Sequence, residues 1–85
     1  MNKQQNKISN LDLPIAEIIR EALSDLSNRT RKDILRLMTE DEFISQRVDL
    51  YLAEFETAMH HGADELGCKE IAMKECLSGI SENHG

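Results

Sequence analysis

Four basic side chains form the densest positive charge in the sequence: Arg29, Arg31, Lys32 and Arg36. Basic side chains clustered in this way are able to contact nucleic-acid phosphates. A short helix that carries them, followed by a longer helix, would resemble a helix-turn-helix. However, no aromatic side chains are interleaved, and the chain has a net charge of −6. A solvated helix face that balances nearby acids explains the same cluster. Nucleic-acid binding is therefore the alternative prediction and not the leading one.

Two histidines and two cysteines are of the residue types that bind metal ions: His60, His61, Cys68 and Cys76. Structural zinc sites take pairs of ligands from one turn, as in C-x-x-C or H-x-x-x-H, and this spacing supplies neither. The cysteines are about 12 Å apart along one predicted helix, so they cannot form a disulfide within it. The sequence predicts no metal site, surface histidines at a helix end, core cysteines and a reducing compartment.

Catalytic side chains do not form a recognisable set. Cys68 lies near a predicted helix start, where a thiol pKa can fall, but the sequence identifies no base or orienting group for it. Glu54 and Glu56 are two residues apart on a helix and do not face each other. Glycine-rich phosphate loops are absent from the sequence. We therefore predict no enzyme, no cofactor and no small-molecule ligand.

The stretch 39–62 is predicted as one long helix, because its start, its stop and its apolar face are all marked. Thr39 and Glu42 form a capping box, and Gly62 supplies a left-handed stop. An apolar stripe at helical spacing runs between them: Ile44, Val48, Tyr51, Phe55 and Ala58, widened by Leu52 and Met59. Phe43 and Leu50 fall on another side of the helix and need a contact of their own.

Three shorter helices are predicted around it. Asp12 or Pro14 begins a first helix over 13–27, which is amphipathic, and Thr30 caps a second over 31–38. Asp64 or its neighbour begins a fourth helix over 64–78, which carries apolar residues on two sides and stops at Gly79. With the long helix at 40–61 and no strand pattern, the sequence predicts an all-α domain of four helices with one long central helix. The domain spans 12–80, between flexible tails at 1–11 and 81–85.

Surplus apolar surface is the feature that points to a function. Phe43 and Leu50 lie off the main stripe, and Cys68 and Ile71 form a second apolar side on the fourth helix, so these four are the interface candidates. The leading prediction is a non-enzymatic interaction module that binds a protein partner, above all a second copy of itself. The alternative is a small DNA-associated regulator that uses the basic cluster. A third class, an acidic protein that occupies a basic site on its partner, is indicated by no particular residue.

Membrane and secretion signals are not found in the sequence. No apolar run approaches the length needed to span a bilayer, and the first ten residues lack the apolar region of a signal peptide. We expect no membrane association and a cytoplasmic location.

From Asp41 onward the chain resembles a family of small helical bacterial proteins, often carried on mobile elements and known only as a domain of unknown function. The similarity covers roughly the second half and consists of three groups of residues: Asp41-Glu42-Phe43-Ile44 with Arg47 and Asp49; Phe55-Glu56 with Ala58 and Gly62; and Glu70-Ile71-Ala72-Met73 with Leu77, Gly79 and Ile80. Residues 29–36 have no counterpart. The resemblance implies a helical fold and the bacterial cytoplasm, and no activity, substrate or catalytic residue.

Overall fold

The computed structural model describes residues 10–80, so residues 1–9 and 81–85 of the predicted tails lie outside the described part. Its elements are a 3₁₀ turn, Asn10–Asp12, and four α-helices: Pro14–Ser24 (α1), Asn28–Ile34 (α2), Glu40–His60 (α3) and Glu65–Cys76 (α4). No strand occurs in residues 10–80. The prediction of an all-α chain with a long central helix is confirmed. None of these helices combines the length and apolar character needed to cross a bilayer.

The ends of α3 are formed by the residues that the sequence indicated. The backbone N–H of Glu42 donates to the Thr39 hydroxyl at 3.1 Å, and the Thr39 N–H donates to the Glu42 carboxylate at 3.0 Å. Both halves of the capping box are present. Beyond the other end, Gly62 has a φ of +95°, which only glycine adopts at little cost. The polypeptide therefore reverses direction sharply between α3 and α4.

The first helix is shorter than predicted. Leu13, not Asp12, is its N-cap residue, and no side chain caps it, because Asp12 belongs to the preceding 3₁₀ turn. Pro14 occupies the first turn as expected. Ile19 is fully buried, whereas Ile18 is 41% exposed. Ile18 is about 100° from Ile19 around the helix and lies at the edge of the buried side.

The second helix begins three residues earlier than predicted. Its N-cap is Ser27, whose hydroxyl accepts a hydrogen bond from the Thr30 N–H at 3.2 Å. Thr30 is therefore inside the helix and does not cap it. Because α2 ends at Ile34, residues 35–39 form a linker in which Leu37 is 89% exposed. No residue of α2 is buried.

The fourth helix starts as predicted and ends slightly earlier. The Asp64 carboxylate caps it by accepting from the Gly67 N–H at 2.8 Å, and Gly79 follows the helix with a φ of +85°. Together α3 and α4 form an antiparallel hairpin.

The core lies at one end of this hairpin, where α1 packs on the N-terminal half of α3 and the buried cluster also includes Cys76 at the end of α4. Its fully buried residues include Ile19, Leu23, Ile44, Val48, Cys76 and Ile80. The principal dimensions of the molecule are 43 × 38 × 18 Å. Packed helices have axes about 8–10 Å apart, so the smallest dimension corresponds to two helix layers.

Candidate interaction surface

Two of the four predicted interface residues belong to the core of the chain itself. Phe43 is only 6% exposed, and Cys68 is fully buried. The Phe43 ring lies 4.8 Å from the guanidinium carbon of Arg47, and Phe43 packs in the same cluster as Ile80. Phe43 is therefore part of the core, in one cluster with a residue from the C-terminal end of the described chain. The assignment of Phe43 and Cys68 to an exposed interface is wrong for this reason.

Cys68 faces α3 and not a partner. It repeats with Ala72 and Cys76 at intervals of four residues, and all three are buried. Opposite them, Ala58 is buried on α3. Small side chains on both helices let the two backbones approach closely, which explains why this side of α4 is covered despite its few bulky residues. The Cys68 thiol donates to the carbonyl oxygen of Ala63 at 3.6 Å.

The buried Cys76 thiol has a shifted pKa. Burial raises its pKa, and the positive charge of Arg47 opposes that rise only in part. The pKa of Tyr51 is raised by burial and by the neighbouring Cys76 thiolate. Both effects favour the neutral, protonated groups. Cys76 is therefore a poor nucleophile at neutral pH, because the thiolate is the reactive form.

The other two predicted interface residues are partly accessible. Leu50 is half-buried, and Ile71 is 44% exposed. Ile71 follows Leu66 by five residues, which places it about 140° away around α4. Leu66 and Ile71 therefore lie on different sides of the same helix.

The basic cluster lies on α2 and its linker. Arg29, Lys32 and Arg36 are exposed, while Arg31 is half-buried and donates to the Asn28 side-chain oxygen at 2.9 Å. The ion pairs within residues 10–80 are Arg20 with Glu17 and His60 with Glu56, so none of them involves the cluster. The next helix, α3, begins with three acids in its first turn. In a helix-turn-helix this turn enters the major groove, where those carboxylates would repel phosphate.

The histidines stand on the surface at the end of α3. His60 and His61 are both exposed, and the His60 Nε2 atom is 4.0 Å from a Glu56 carboxylate oxygen. Within residues 10–80 no three His, Cys, Asp or Glu side chains come together to hold a metal ion, and no pocket is found.

Exposed apolar side chains lie on the same side of α3 as the buried Val48. Leu52 follows the buried Val48 by four residues and Met59 follows it by eleven, so both continue the side of α3 that α1 covers. They are nevertheless 46% and 54% exposed. The apolar side of α3 therefore extends beyond the helix that packs on it.

The fourth helix extends this surface. Leu66 precedes Met73 by seven residues and Leu77 by eleven, and these two pack against the core cluster that contains α1. Leu66 itself is 64% exposed. Met59 lies three residues before Gly62 and Leu66 four after it, so the two occur at the same level of the hairpin. We call the surface formed by four side chains the hairpin-tip face: Leu52, Phe55, Met59 and Leu66.

Helix lengths explain why the hairpin-tip face is uncovered. At 1.5 Å per residue, α3 with 21 residues is about 31 Å long, whereas α1 with 11 residues is about 16 Å long. Once α1 packs on the half of α3 that contains Ile44 and Val48, it does not reach the tip. This signal was present in the predicted lengths, although the first helix was predicted too long.

No family model, curated protein or solved structure matches this chain. The similarity of the second half to a family of small helical bacterial proteins stays a prediction. The hairpin-tip face and the basic cluster are the two surface features from which a function can be derived.

Proposed function

We propose that this chain is a non-enzymatic protein-interaction module that associates with a second copy through the hairpin-tip face. The observation that carries the proposal is that the apolar sides of α3 and α4, which are covered near the core, are exposed at the tip of the hairpin. Leu52 and Met59 continue the side that Val48 begins, and Leu66 continues the side of Met73. Contiguous exposed apolar surface of this kind is typical of interaction sites.

The shape of the molecule favours a second copy as the partner. Domains are built from two or more packed layers of secondary structure, and here the layer containing α1 covers only part of the hairpin. An 85-residue chain is also near the size at which one core gives marginal stability, so association stabilises it. Removing the exposed half of a Leu or Met side chain from water contributes roughly 1 kcal/mol. Each copy offers three such side chains.

The bacterial cytoplasm is the location that we propose for this module. Its two described cysteines are free and buried, which fits a reducing compartment. The resemblance of the second half to small bacterial proteins supports the same location.

The test compares two substitutions on α4. Leu66→Gln changes the hairpin-tip face, and Ile71→Gln is its matched control, because Ile71 is also exposed, lies on the same helix and points to a different side. Sedimentation equilibrium over a range from about 1 μM to 1 mM measures the dimer dissociation constant. We expect Leu66→Gln to weaken association at least tenfold and Ile71→Gln to leave it within twofold.

Two results would refute the proposal. One is a monomeric wild-type chain across the whole concentration range. The other is an equal or larger loss of association for Ile71→Gln than for Leu66→Gln, which would move the interface to the other side of α4. Far-UV circular dichroism of each variant verifies that helicity is retained.

A further inference from the structure

The segment 29–37 has the properties of a docking element without a docking site in its own chain. It carries four bases and one acid, Asp33. No carboxylate among residues 10–80 forms an ion pair with these bases, and α2 contributes no buried residue. Beside them, Leu37 is almost fully exposed. We call residues 29–37 the basic segment: it presents one apolar side chain among cations.

The hairpin presents the opposite arrangement. Between residues 40 and 76 the sequence has ten acids and three bases. Glu56 is four residues after Leu52 and three before Met59, so it borders the hairpin-tip face on α3. Glu70 is four residues after Leu66 and borders it on α4, next to a single base, Lys69. The tip thus has an apolar centre and a mainly acidic margin, which complements the basic segment.

The two complementary surfaces cannot meet within one chain. The basic segment leads into the N-terminal end of α3, while the α3 residues of the hairpin-tip face begin about 18 Å along the helix, at Leu52, and extend to about 29 Å, at Met59. Ile34, Leu35 and Met38 pack against the core cluster and hold the segment at its end of the molecule. The contact therefore requires another molecule.

We propose that the basic segment of one copy packs on the hairpin-tip face of a second copy, and that a two-fold axis repeats this contact. Two reciprocal contacts close the assembly as a dimer, whereas a single head-to-tail contact would propagate into a filament. This inference rests on the proposed self-association and names the element that covers the tip.

The area that a stable interface needs supports a contribution from both elements. Stable interfaces bury about 800 Å² on each partner, which three partly exposed side chains cannot supply. The basic segment adds Leu37 and the stems of its long side chains, which pack on apolar surface while their charges reach the acidic margin. Charge complementarity also fixes the orientation of the two copies and makes their association dependent on salt.

The test exchanges the charges between the two surfaces. One variant carries Lys32→Glu and Arg36→Glu, and a second carries Glu56→Lys and Glu70→Lys. In a homodimer of either variant both contacts join like charges, so each alone should associate at least tenfold more weakly than the wild type. In the mixed heterodimer the acidic segment of the first variant meets the basic tip of the second. The basic segment of the second variant meets the acidic tip of the first. Mixing the two variants should therefore restore association to within about threefold of the wild type.

The control variant carries Arg20→Glu and Lys74→Glu, which replace two basic residues outside the basic segment. Its net charge changes by the same amount as that of the Lys32→Glu, Arg36→Glu variant. We expect this control to associate within threefold of the wild type. All affinities are measured by sedimentation equilibrium, after circular dichroism has shown retained helicity. Raising the salt from 50 to about 500 mM should weaken the wild-type dimer several-fold, since exposed charge pairs are screened.

The outcomes separate this inference from the proposal beneath it. If Leu66→Gln weakens association and the Lys32→Glu, Arg36→Glu variant does not, self-association stands and the basic segment is excluded from the interface. The same exclusion follows if mixing the charge variants restores nothing. A different outcome would overturn the inference: the wild-type chain binds duplex DNA at low salt, the Lys32→Glu, Arg36→Glu variant does not bind it, and mixing the charge variants does not restore self-association. The basic segment would then be a phosphate-binding surface.

Discussion

Arg47 ties the end of α4 to the middle of the molecule, and its removal is the sharpest test of the fold. The Arg47 Nη1 atom donates to the carbonyl oxygens of Cys76 at 2.9 Å and Ser78 at 2.6 Å. The same guanidinium stacks over the Phe43 ring. Cys76 and Ser78 belong to the last turn and exit of α4, where carbonyls lack partners within the helix. One side chain thus joins two chain segments about thirty residues apart.

The substitution Arg47→Met removes these interactions and keeps the apolar stem. Hydrogen bonds from a charged donor contribute about 1.5–3 kcal/mol each, and partial exposure places these two toward the lower figure. The cation–π contact adds about 0.5–1 kcal/mol. We therefore expect a loss of about 3.5–4 kcal/mol in the free energy of unfolding. For an 85-residue chain the total is about 4–13 kcal/mol, so the loss is a large part of it.

The matched control is Arg20→Met. Arg20 pairs with Glu17 at 2.6 Å on the exposed side of α1, and surface pairs of this kind contribute about 0.2–1 kcal/mol. Urea denaturation followed by circular dichroism measures both variants at one protein concentration, because dimerisation makes stability depend on concentration. Arg47→Lys should fall between them, since an ammonium lacks the planar fork that bridges two carbonyls. If Arg47→Met and Arg20→Met agree within about 0.5 kcal/mol, the proposed role of Arg47 is refuted.

Two further predictions concern the turn and the buried thiol. Gly62→Ala should lower the thermal midpoint by about 4–8 °C, because alanine at positive φ costs about 1 kcal/mol. No neighbouring atom lies within 4 Å of the added methyl group, so the backbone conformation is the only expected cause. An unchanged midpoint would contradict this reasoning. Since burial raises the Cys76 pKa, unfolded chains release this proton at lower pH than native ones. Stability should therefore fall as the pH rises above 9.0 toward the native pKa, and an equally steep fall in Cys76→Ala urea midpoints would exclude the thiol as its cause.

The helix ends were predictable because capping is a local interaction. Thr39 bonds to a residue three positions away, Asp64 does the same, and the conformation of Gly62 depends on its immediate neighbours. None of these contacts depends on where the other helices lie. The boundaries of α3 and the start of α4 could therefore be derived from residue types alone.

The start of α2 was not predictable on the same basis. Ser27 and Thr30 are both suitable N-cap residues, so local chemistry permits either start. In the structure Ser27 is the cap, and Ile34 and Leu35 then pack against the core cluster at the end of the helix. The start at Ser27 thus occurs together with contacts to distant parts of the chain, and the spacing of apolar residues does not reveal such contacts.

The division of apolar residues between core and surface depends on the same long-range packing. Phe43 was predicted to need a contact of its own, and in the structure it belongs to the core cluster that contains the distant Ile80 and lies beside the guanidinium of Arg47, which binds the end of α4. Leu52 and Met59 share a side of α3 with the buried Val48, yet they are exposed because α1 is too short to cover them. Helical spacing predicts which side of a helix a residue lies on. It does not predict how far along the helix a neighbouring helix covers that side.

The sparse packing of the hairpin tip has a consequence for its motion. In its outer half the buried side chains are small: Ala58, Cys68 and Ala72. Regions with few buried apolar contacts open at a lower free energy than the global unfolding of the protein. In an isolated chain the backbone amides at the tip should therefore exchange with solvent sooner than those near Ile44 and Val48. A second copy placed on the tip would slow this exchange, so association would order the part of the molecule that mediates it.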